Sequence, residues 1–314
     1  MKFLEIFTHA NFWFTVIRGM TPIVLVALAA LMSTRCGILN MALEGIMLFS
    51  ALFAVIASAM FQSYLAGIAA AIITGIVFSL VLAYFKLKLK ADELLTSIAI
   101  NLLATGMTVF ILYLVSGSKA NSAYVQSKTI PTVKLEFLKG IPFLYDVFSN
   151  HSILVYVALI LVVAVHYLLF KTPLGLRIRS VGSNEHAAES VGVYVNKTRY
   201  ISMVISGILV GLAGAYMSMS YMTMFVANMT AGRGFIGLAS ANIGGRTPFG
   251  ALVAALIFGF FESLGHNLQK FAIAPDLIFM IPYFAIIIMY TAFTYRSINR
   301  KKRMAKKLLA ENNE

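Results

Sequence analysis

Met41-Ala42-Leu43-Glu44-Gly45-Ile46-Met47-Leu48-Phe49-Ser50-Ala51-Leu52-Phe53-Ala54-Val55-Ile56-Ala57-Ser58-Ala59-Met60-Phe61 carries a single ionisable side chain, Glu44. A helix that crosses a bilayer needs roughly 20 such residues. Comparable stretches recur at 12–34, 64–85, 92–115, 152–170, 200–222, 248–268 and 275–294. A weaker, glycine-rich one lies at 230–246 and either spans or dips back. Over all 314 residues 60% are apolar and 12% charged, with a mean hydropathy of +0.86. A soluble domain is about a quarter charged. This composition excludes a soluble enzyme, a secreted disulfide scaffold and a disordered tail. With one cysteine, Cys36, there is no internal disulfide and no metal cluster to assemble. The expected fold is all-α and polytopic, with about eight to ten transmembrane helices and one discontinuous or re-entrant segment. The first ten residues lack a cleavage site after a short apolar core, so the first span is expected to be retained.

The 25 Lys and Arg against 12 Asp and Glu would suit nucleic acid if they shared one face, but they fall between the apolar runs. Arg296, Arg300, Lys301, Lys302, Arg303, Lys306 and Lys307 crowd the tail; Lys171, Arg177, Arg179, Lys197 and Arg199 lie in 171–199; Lys86, Lys88 and Lys90 form a third group. The positive-inside rule places all three in the cytoplasm. This divides the chain into a transmembrane domain, 1–295, and a basic cytoplasmic tail, 296–314. Within the domain, 116–150 is an external loop and 171–199 a cytoplasmic one. The external loop is either a vestibule that meets a partner or a solvated connector.

Polar groups inside apolar runs need partners or water. Asn40 and Glu44, four apart, share a helix face. They line or gate a pathway, anchor a broken helix, or cap a helix start near the interface. Asp92 and Glu93 fit the positive end of the fourth span's dipole. Asn101, about two turns deeper, is interhelical glue or part of a polar path. Glu262, His266 and Asn267 read as an exposed cap at the outer end of a late span. The small residues of Ser206–Ala215 allow two helices to approach closely. Gly232, Gly234 and Gly237, followed by Gly244, Gly245 and Pro248, interrupt a helix, which is tolerated at membrane depth only against protein or a cavity.

Catalytic motifs do not appear. Ser116-Gly117-Ser118-Lys119 lacks the first glycine and the closing Ser/Thr of a phosphate loop. There is no H-E-x-x-H and no G-x-S-x-G, and the five histidines are scattered. The chain itself is not expected to hydrolyse ATP. In the cytoplasmic loop, Ser183 or Asn184 can cap a short helix whose first turn holds Glu185, and Gly192 can end it. A compact helix bearing Ala187 and Ala188 suits a groove on another protein.

That loop, Thr172–Val193 (T-P-L-G-L-R-I-R-S-V-G-S-N-E-H-A-A-E-S-V-G-V), resembles the cytoplasmic signature of ABC importer permeases of the branched-chain amino acid, ribose and nucleoside group. C-G-I-L-N-M-A-L-E-G at 36–45, S-G-I-L-V-G-L-A-G-A at 206–215 and G-R-G-F-I-G-L-A-S-A-N-I-G-G-R-T-P-F-G at 232–250 agree in order and spacing, over roughly 20–295. Ser180 stands where alanine is usual, and Arg246-Thr247 departs slightly from the usual context. N-M-A-L-E-G and A-D-E-L-L-T-S-I-A-I-N-L-L-A resemble the permeases of nucleoside and simple-sugar importers that work with basic-membrane-lipoprotein-type binding proteins. The resemblance implies a permease subunit in a prokaryotic cell membrane, paired with a second, related permease chain as a heterodimer. It also implies a cytoplasmic ABC ATPase with two fused nucleotide-binding domains, which binds the ATP and Mg, and an external binding lipoprotein. The coupling helix would fall on Gly182–Gly192, using Gly182, Asn184, Glu185, His186, Ala187, Ala188 and Gly192. Asn40, Glu44 and Asn101 would line the path, with a nucleoside or a sugar such as ribose as solute. The rival readings are a secondary transporter with Glu44 or Glu262 as proton site, and a non-transporting scaffold or sensor.

Overall fold

The computed structural model describes residues 7, 9–136 and 139–268, together with 284, 291 and 295. The apolar stretch at 275–294, but for positions 284 and 291, and the tail at 296–314 lie outside the described residues. Seven helices among the described residues are long and apolar enough to cross a membrane. They are α1 (Ala10–Arg35), α2 (Leu43–Phe61), α3 (Tyr64–Leu87), α4 (Glu93–Ser116), α6 (Ile153–Lys171), α9 (Val195–Tyr216, extended by a π turn to Tyr221) and α11 (Pro248–Leu268). Shorter helices are α5 (Pro142–Phe148), α7 (Pro173–Ser183), α8 (Glu185–Ser190) and α10 (Arg233–Ile243). Among the described residues the fold is all-α apart from one two-residue antiparallel pair, Thr132–Val133 with His151–Ser152, and an isolated bridge.

Local chemistry sets the boundaries. Asp92 caps α4 by accepting from the N–H groups of Leu94 and Leu95 at 2.8 and 3.0 Å. Gly117, at φ +69°, closes the same helix in the left-handed conformation that glycine favours. Gly37, at φ +84°, turns the chain after α1.

Helices α1 and α9 form the centre and are mostly buried; α3 and α6 flank them, and α4 lies further out on α2 and α3. Helices α3, α4 and α6 expose Leu65, Ile73, Leu102, Leu114, Ile160 and Tyr167, apolar side chains suited to acyl chains. Helix α9 lies against α3 through the small residues noted in the sequence. A Cβ at Gly207 would stand 2.7 Å from the Gly75 carbonyl oxygen, and one at Gly211 would stand 2.6 Å from that of Ala71. Ser202 and Ser206 donate to the Met32 and Ala29 carbonyls, both at 2.8 Å, and stitch α9 to α1.

Pro22 sits inside α1. It has no N–H, so the carbonyl four residues earlier loses its donor. That carbonyl belongs to Arg18, and the buried Tyr216 hydroxyl donates to it at 3.0 Å.

The loop at 116–150 is a folded cap on the end of the bundle away from Arg35. Helix α5 lies on α1, the His151 ring stacks on Phe14 at 4.1 Å, and its Nε2 is 2.9 Å from the Val147 carbonyl. Burial pushes the His151 pKa below the usual imidazole value.

The glycine-rich stretch is a discontinuous crossing. After the π turn the chain pairs with the loop at 116–150 (Val226 with Asn121), passes through turns at 227–232, and enters α10. Eleven residues rise about 16 Å, half a bilayer. Gly237 rests on Val26 and Ala27 in the middle of α1, so α10 begins near mid-depth and runs to the end bearing Arg35 and Arg246. Seven helices long and apolar enough to cross are thus described beside this segment, and the expected span at 275–294 lies, but for positions 284 and 291, outside the described residues.

Candidate functional site

Two places gather the residues singled out above: the start of α10 at mid-depth, and the loop at the basic end.

At mid-depth, α2 begins after an irregular connector, and its N-cap position is Ala42, which has no side chain to cap with. Asn101 of α4 does that work. Its Oδ1 accepts from Gly45 N at 2.8 Å, and its Nδ2 donates to Met41 O at 3.0 Å. A Cβ on Gly45 would sit 2.9 Å from the Asn101 Cα, so the close approach requires glycine. Asn40, fully buried, accepts from Ala42 N at 3.0 Å. Its Nδ2 has no hydrogen-bond partner among the described residues.

Glu44 turns across to α10. Its two carboxylate oxygens accept from Gly232 N at 2.8 Å and Gly234 N at 2.6 Å. Gly232, at φ +79°, is the N-cap residue of α10 and offers no capping side chain. A carboxylate from another helix therefore satisfies the free N–H groups and meets the positive end of the dipole. A Cβ on Gly234 would lie 2.5 Å from the Glu44 Cα. At the other end, Gly244 follows α10, Gly245 turns at φ +65°, and Pro248 is the first residue of α11.

Beyond this clasp, on the side away from the basic end, lies a group that the residues' sequence positions do not bring together. Arg233, the first residue of α10, pairs with Glu262 of α11, and both side chains are largely buried. Glu262 is therefore half of a buried ion pair, not the exposed cap expected of it. Tyr221, aimed by the π turn, lies under both the Arg18 guanidinium (4.9 Å) and that of Arg233 (5.4 Å). Its hydroxyl is 3.4 Å from Glu262 Oε1, and its carbonyl accepts from Arg18. His266 stands 4.0 Å from the same carboxylate oxygen and is more exposed. Among the described residues no three His, Cys, Asp or Glu side chains converge on a point.

At the basic end, Thr172 caps α7, accepting from Gly175 N at 3.1 Å. Asn184 ends α7 and caps α8, accepting from Ala187 N at 3.1 Å. Glu185 occupies the first turn of α8, and Gly192, at φ +81°, follows its end. His186 and Ala187 point outward, Ala188 is buried, and Val191 and Tyr194 expose large apolar surfaces. The loop is tied to the bundle. Arg199 pairs with Glu185 at 2.6 Å and donates from Nε to the Cys36 carbonyl at 3.2 Å. Gly182 packs against the Arg35 carbonyl and Gly37. Arg35 in turn donates to the Arg246 carbonyl at 3.1 and 2.5 Å. Arg199 entered the sequence reading only as a basic loop residue; its link to Glu185 spans the whole of α8.

Comparison with known proteins agrees with this architecture. Residues 12–291 match the family described as branched-chain amino acid transport system / permease component. The chain is 38% identical to the guanosine ABC transporter permease protein NupQ of Bacillus subtilis, covering 88% of this chain and 89% of the relative. It is 31% identical to TsgC13 of Haloferax volcanii, provisionally named a glucose ABC transporter permease, over 83% and 78%. It is 32% identical to the nucleoside ABC transporter permease protein NupC of Lactococcus lactis, over 90% and 91%. Among solved structures it resembles a protein assigned to the metal-chelate type of ABC transporters, in an inward-facing conformation. The TM-score there is 0.50 at 18% identity, covering 91% and 85% of the two chains, a likeness of fold. The chain belongs to this permease-component family: it is a multi-span membrane permease subunit and not an enzyme.

Proposed function

From that membership we propose that the chain forms one half of the translocation path of an ATP-driven importer of nucleosides. The observation that carries the substrate class is similarity over about nine-tenths of the chain to permeases named for guanosine and for nucleosides. The other half would be a second, related permease chain. ATP and Mg would bind a cytoplasmic ABC ATPase, its two nucleotide-binding domains fused, and a binding lipoprotein would deliver the solute outside.

Each site then has a role. The loop at Gly182–Gly192 seats in the ATPase through His186, Ala187 and the exposed Val191, in a prokaryotic cell membrane with the basic end and the C-terminal tail in the cytoplasm. Asn184 and Gly192 set the limits of its helix, Ala188 anchors it, and Glu185 passes its movement to Arg199. Glu44 and Asn101, half-buried, stand at the wall of the path and hold the break at Gly232 and Gly234, with Asn40 behind them. Gly237, Gly244, Gly245 and Pro248 let α10 pack closely and turn back.

The test is uptake of radiolabelled uridine and guanosine, with ribose in parallel, in cells lacking the chain and in cells with it restored. Loss and recovery of nucleoside uptake alone is the expected result. A fall in ribose uptake with nucleoside uptake unchanged would move the substrate to simple sugars, the second reading, which the glucose-named relative favours.

A further inference from the structure

Between Val226 and α10 the chain runs at membrane depth in turns rather than helix, the N–H groups of Met229, Ala231 and Arg233 bonding carbonyls three residues back and that of Gly232 bonding Glu44. Asn228 and Ala231 in this stretch are exposed, at φ +56° and +45°. Backbone of this kind does not face acyl chains; it meets protein or a water-filled cavity. Helix α10 continues the same side. Gly234, Ile236, Gly237 and Ser240 are buried, whereas Phe235 is 46% exposed and Ala239 and Asn242 are half-buried. Phe235, Ala239 and Asn242 fall at i, i+4 and i+7, one stripe of α10 running towards the basic end, and the exposed Ala231 stands in the turn just before it. Its character differs from the lipid-facing sides of α4 and α6, which expose Leu102, Leu114 and Ile160. Here the exposed groups are small or amide-bearing, with one aromatic ring among them.

The charges nearby are already matched. Glu44 is engaged by Gly232 and Gly234, and Arg233 by Glu262. The stripe therefore presents a neutral polar surface, suited to an uncharged solute rather than a phosphorylated one.

Resting on the nucleoside reading above, we propose that this stripe, with Asn228 above it, is this chain's wall of the translocation path, and that Phe235 stacks against the base of the passing nucleoside. Every base has a flat π-face for such a ring, whatever its edge. The Asn228 and Asn242 amides offer donors and acceptors to ribose hydroxyls and base edges. The second permease chain would close the path from the opposite side.

The native thiol leaves a low background for a cysteine test. Cys36 is fully buried, and burial pushes its pKa to about 11. Ala231→Cys, Phe235→Cys and Ala239→Cys are introduced singly into the assembled transporter in cells, with Leu102→Cys and Ile160→Cys as lipid-facing references. A water-soluble, membrane-impermeant thiol reagent is expected to modify the first group at least tenfold faster than the references. Saturating uridine should slow that modification several-fold. Labelling of Ala231→Cys and Phe235→Cys as slow as that of Leu102→Cys would overturn the wall.

For the stacking role, Phe235→Ala should raise the KM for uridine uptake about fivefold or more, the lower range of a lost base–aromatic contact. Phe235→Tyr should stay within about twofold. An unchanged KM in Phe235→Ala overturns the stacking. Uridine uptake by the parent transporter separates the two levels. If the parent carries no nucleoside, the substrate reading and the stacking both fall, while labelling still decides the wall.

Discussion

Replacing Glu44 tests the mid-depth site most directly, because its carboxylate is the shared partner of two part-buried N–H groups at the start of α10. A hydrogen bond to a charged group contributes about 1.5–3 kcal/mol. Glu44→Ala therefore removes about 3–6 kcal/mol and leaves two donors orphaned, a large share of the roughly 5–15 kcal/mol that holds a typical protein folded. Glu44→Gln is the sharper probe. It keeps the shape and one acceptor, turns an NH2 towards one of the two donors, and gives up the charge that meets the α10 dipole, so a loss of about 2–4 kcal/mol is expected. Glu93→Gln is the control: its pairing with Lys86 is longer, 3.5 Å, and partly solvated, and surface pairs contribute about 0–1 kcal/mol. The assay combines the thermal midpoint of the purified complex in mild detergent with the nucleoside uptake rate. Gly234→Ala adds a second axis, because its methyl would stand 2.5 Å from the Glu44 Cα and push the same two helices apart. The double variant Glu44→Gln/Gly234→Ala should be little worse than Gly234→Ala alone, since either change opens one clasp. The reasoning is refuted if Glu44→Gln matches the parent in both readouts, or if the two losses simply add.

Tyr216→Phe should cost about 1–3 kcal/mol, the penalty for leaving the Arg18 carbonyl buried without a donor opposite Pro22; a thermal midpoint equal to the parent's would contradict this. Neutralising one member of the Arg233–Glu262 pair strands a buried charge, at about 3–5 kcal/mol, so Arg233→Met/Glu262→Leu should recover part of the loss seen in Glu262→Leu alone. Because burial holds the folded-state pKa of His151 below its unfolded value of about 6.5, the unfolded chain binds the extra proton. The stabilising contribution is thus complete above about pH 6.5 and is lost as pH falls below it; melting scans from pH 7.5 to 5 should show the decline, blunted in His151→Gln. At the basic end, Glu185→Ala/His186→Ala should insert normally but hydrolyse ATP without matching uptake, and full uptake by that variant would count against the loop's coupling role.

The helices were legible because lipid imposes a crude rule, about twenty apolar residues per crossing. The break was legible because six glycines and prolines in a short stretch cannot continue a helix. Asn40, Glu44 and Asn101 stood out because polar groups in lipid must be answered. What answers them was not legible. Glu44 meets Gly232 and Gly234 almost two hundred positions later, and nothing local to residue 44 specifies that distance. Glu262 read as an exposed cap because its base, Arg233, lay in a stretch notable for glycine. Pro22 was the overlooked signal: a proline within an apolar span orphans a carbonyl four residues back, and the tyrosine that supplies the donor must come from another helix.

The ties between helices also bear on how the chain moves. Helix α1 is bound to α9 near the basic end by Ser202 and, one turn further in, by Ser206, and in the half away from the basic end by Tyr216. Helix α10 packs along α1 and α11 and is fastened to α2 by Glu44, while α2 and α9 pack on α3. For α10 to shift against α2, both bonds of the clasp would have to open while α1 stayed pinned to α9. Glu44 therefore acts as a brace rather than a hinge. The loop at Gly182–Gly192 is fixed to the same body through Arg199 and the Cys36 carbonyl. A push on that loop would displace the described helices together, as a rigid-body switch against a second chain requires. The surface that opens and closes would then be the one facing that chain, where the stripe through Phe235 lies.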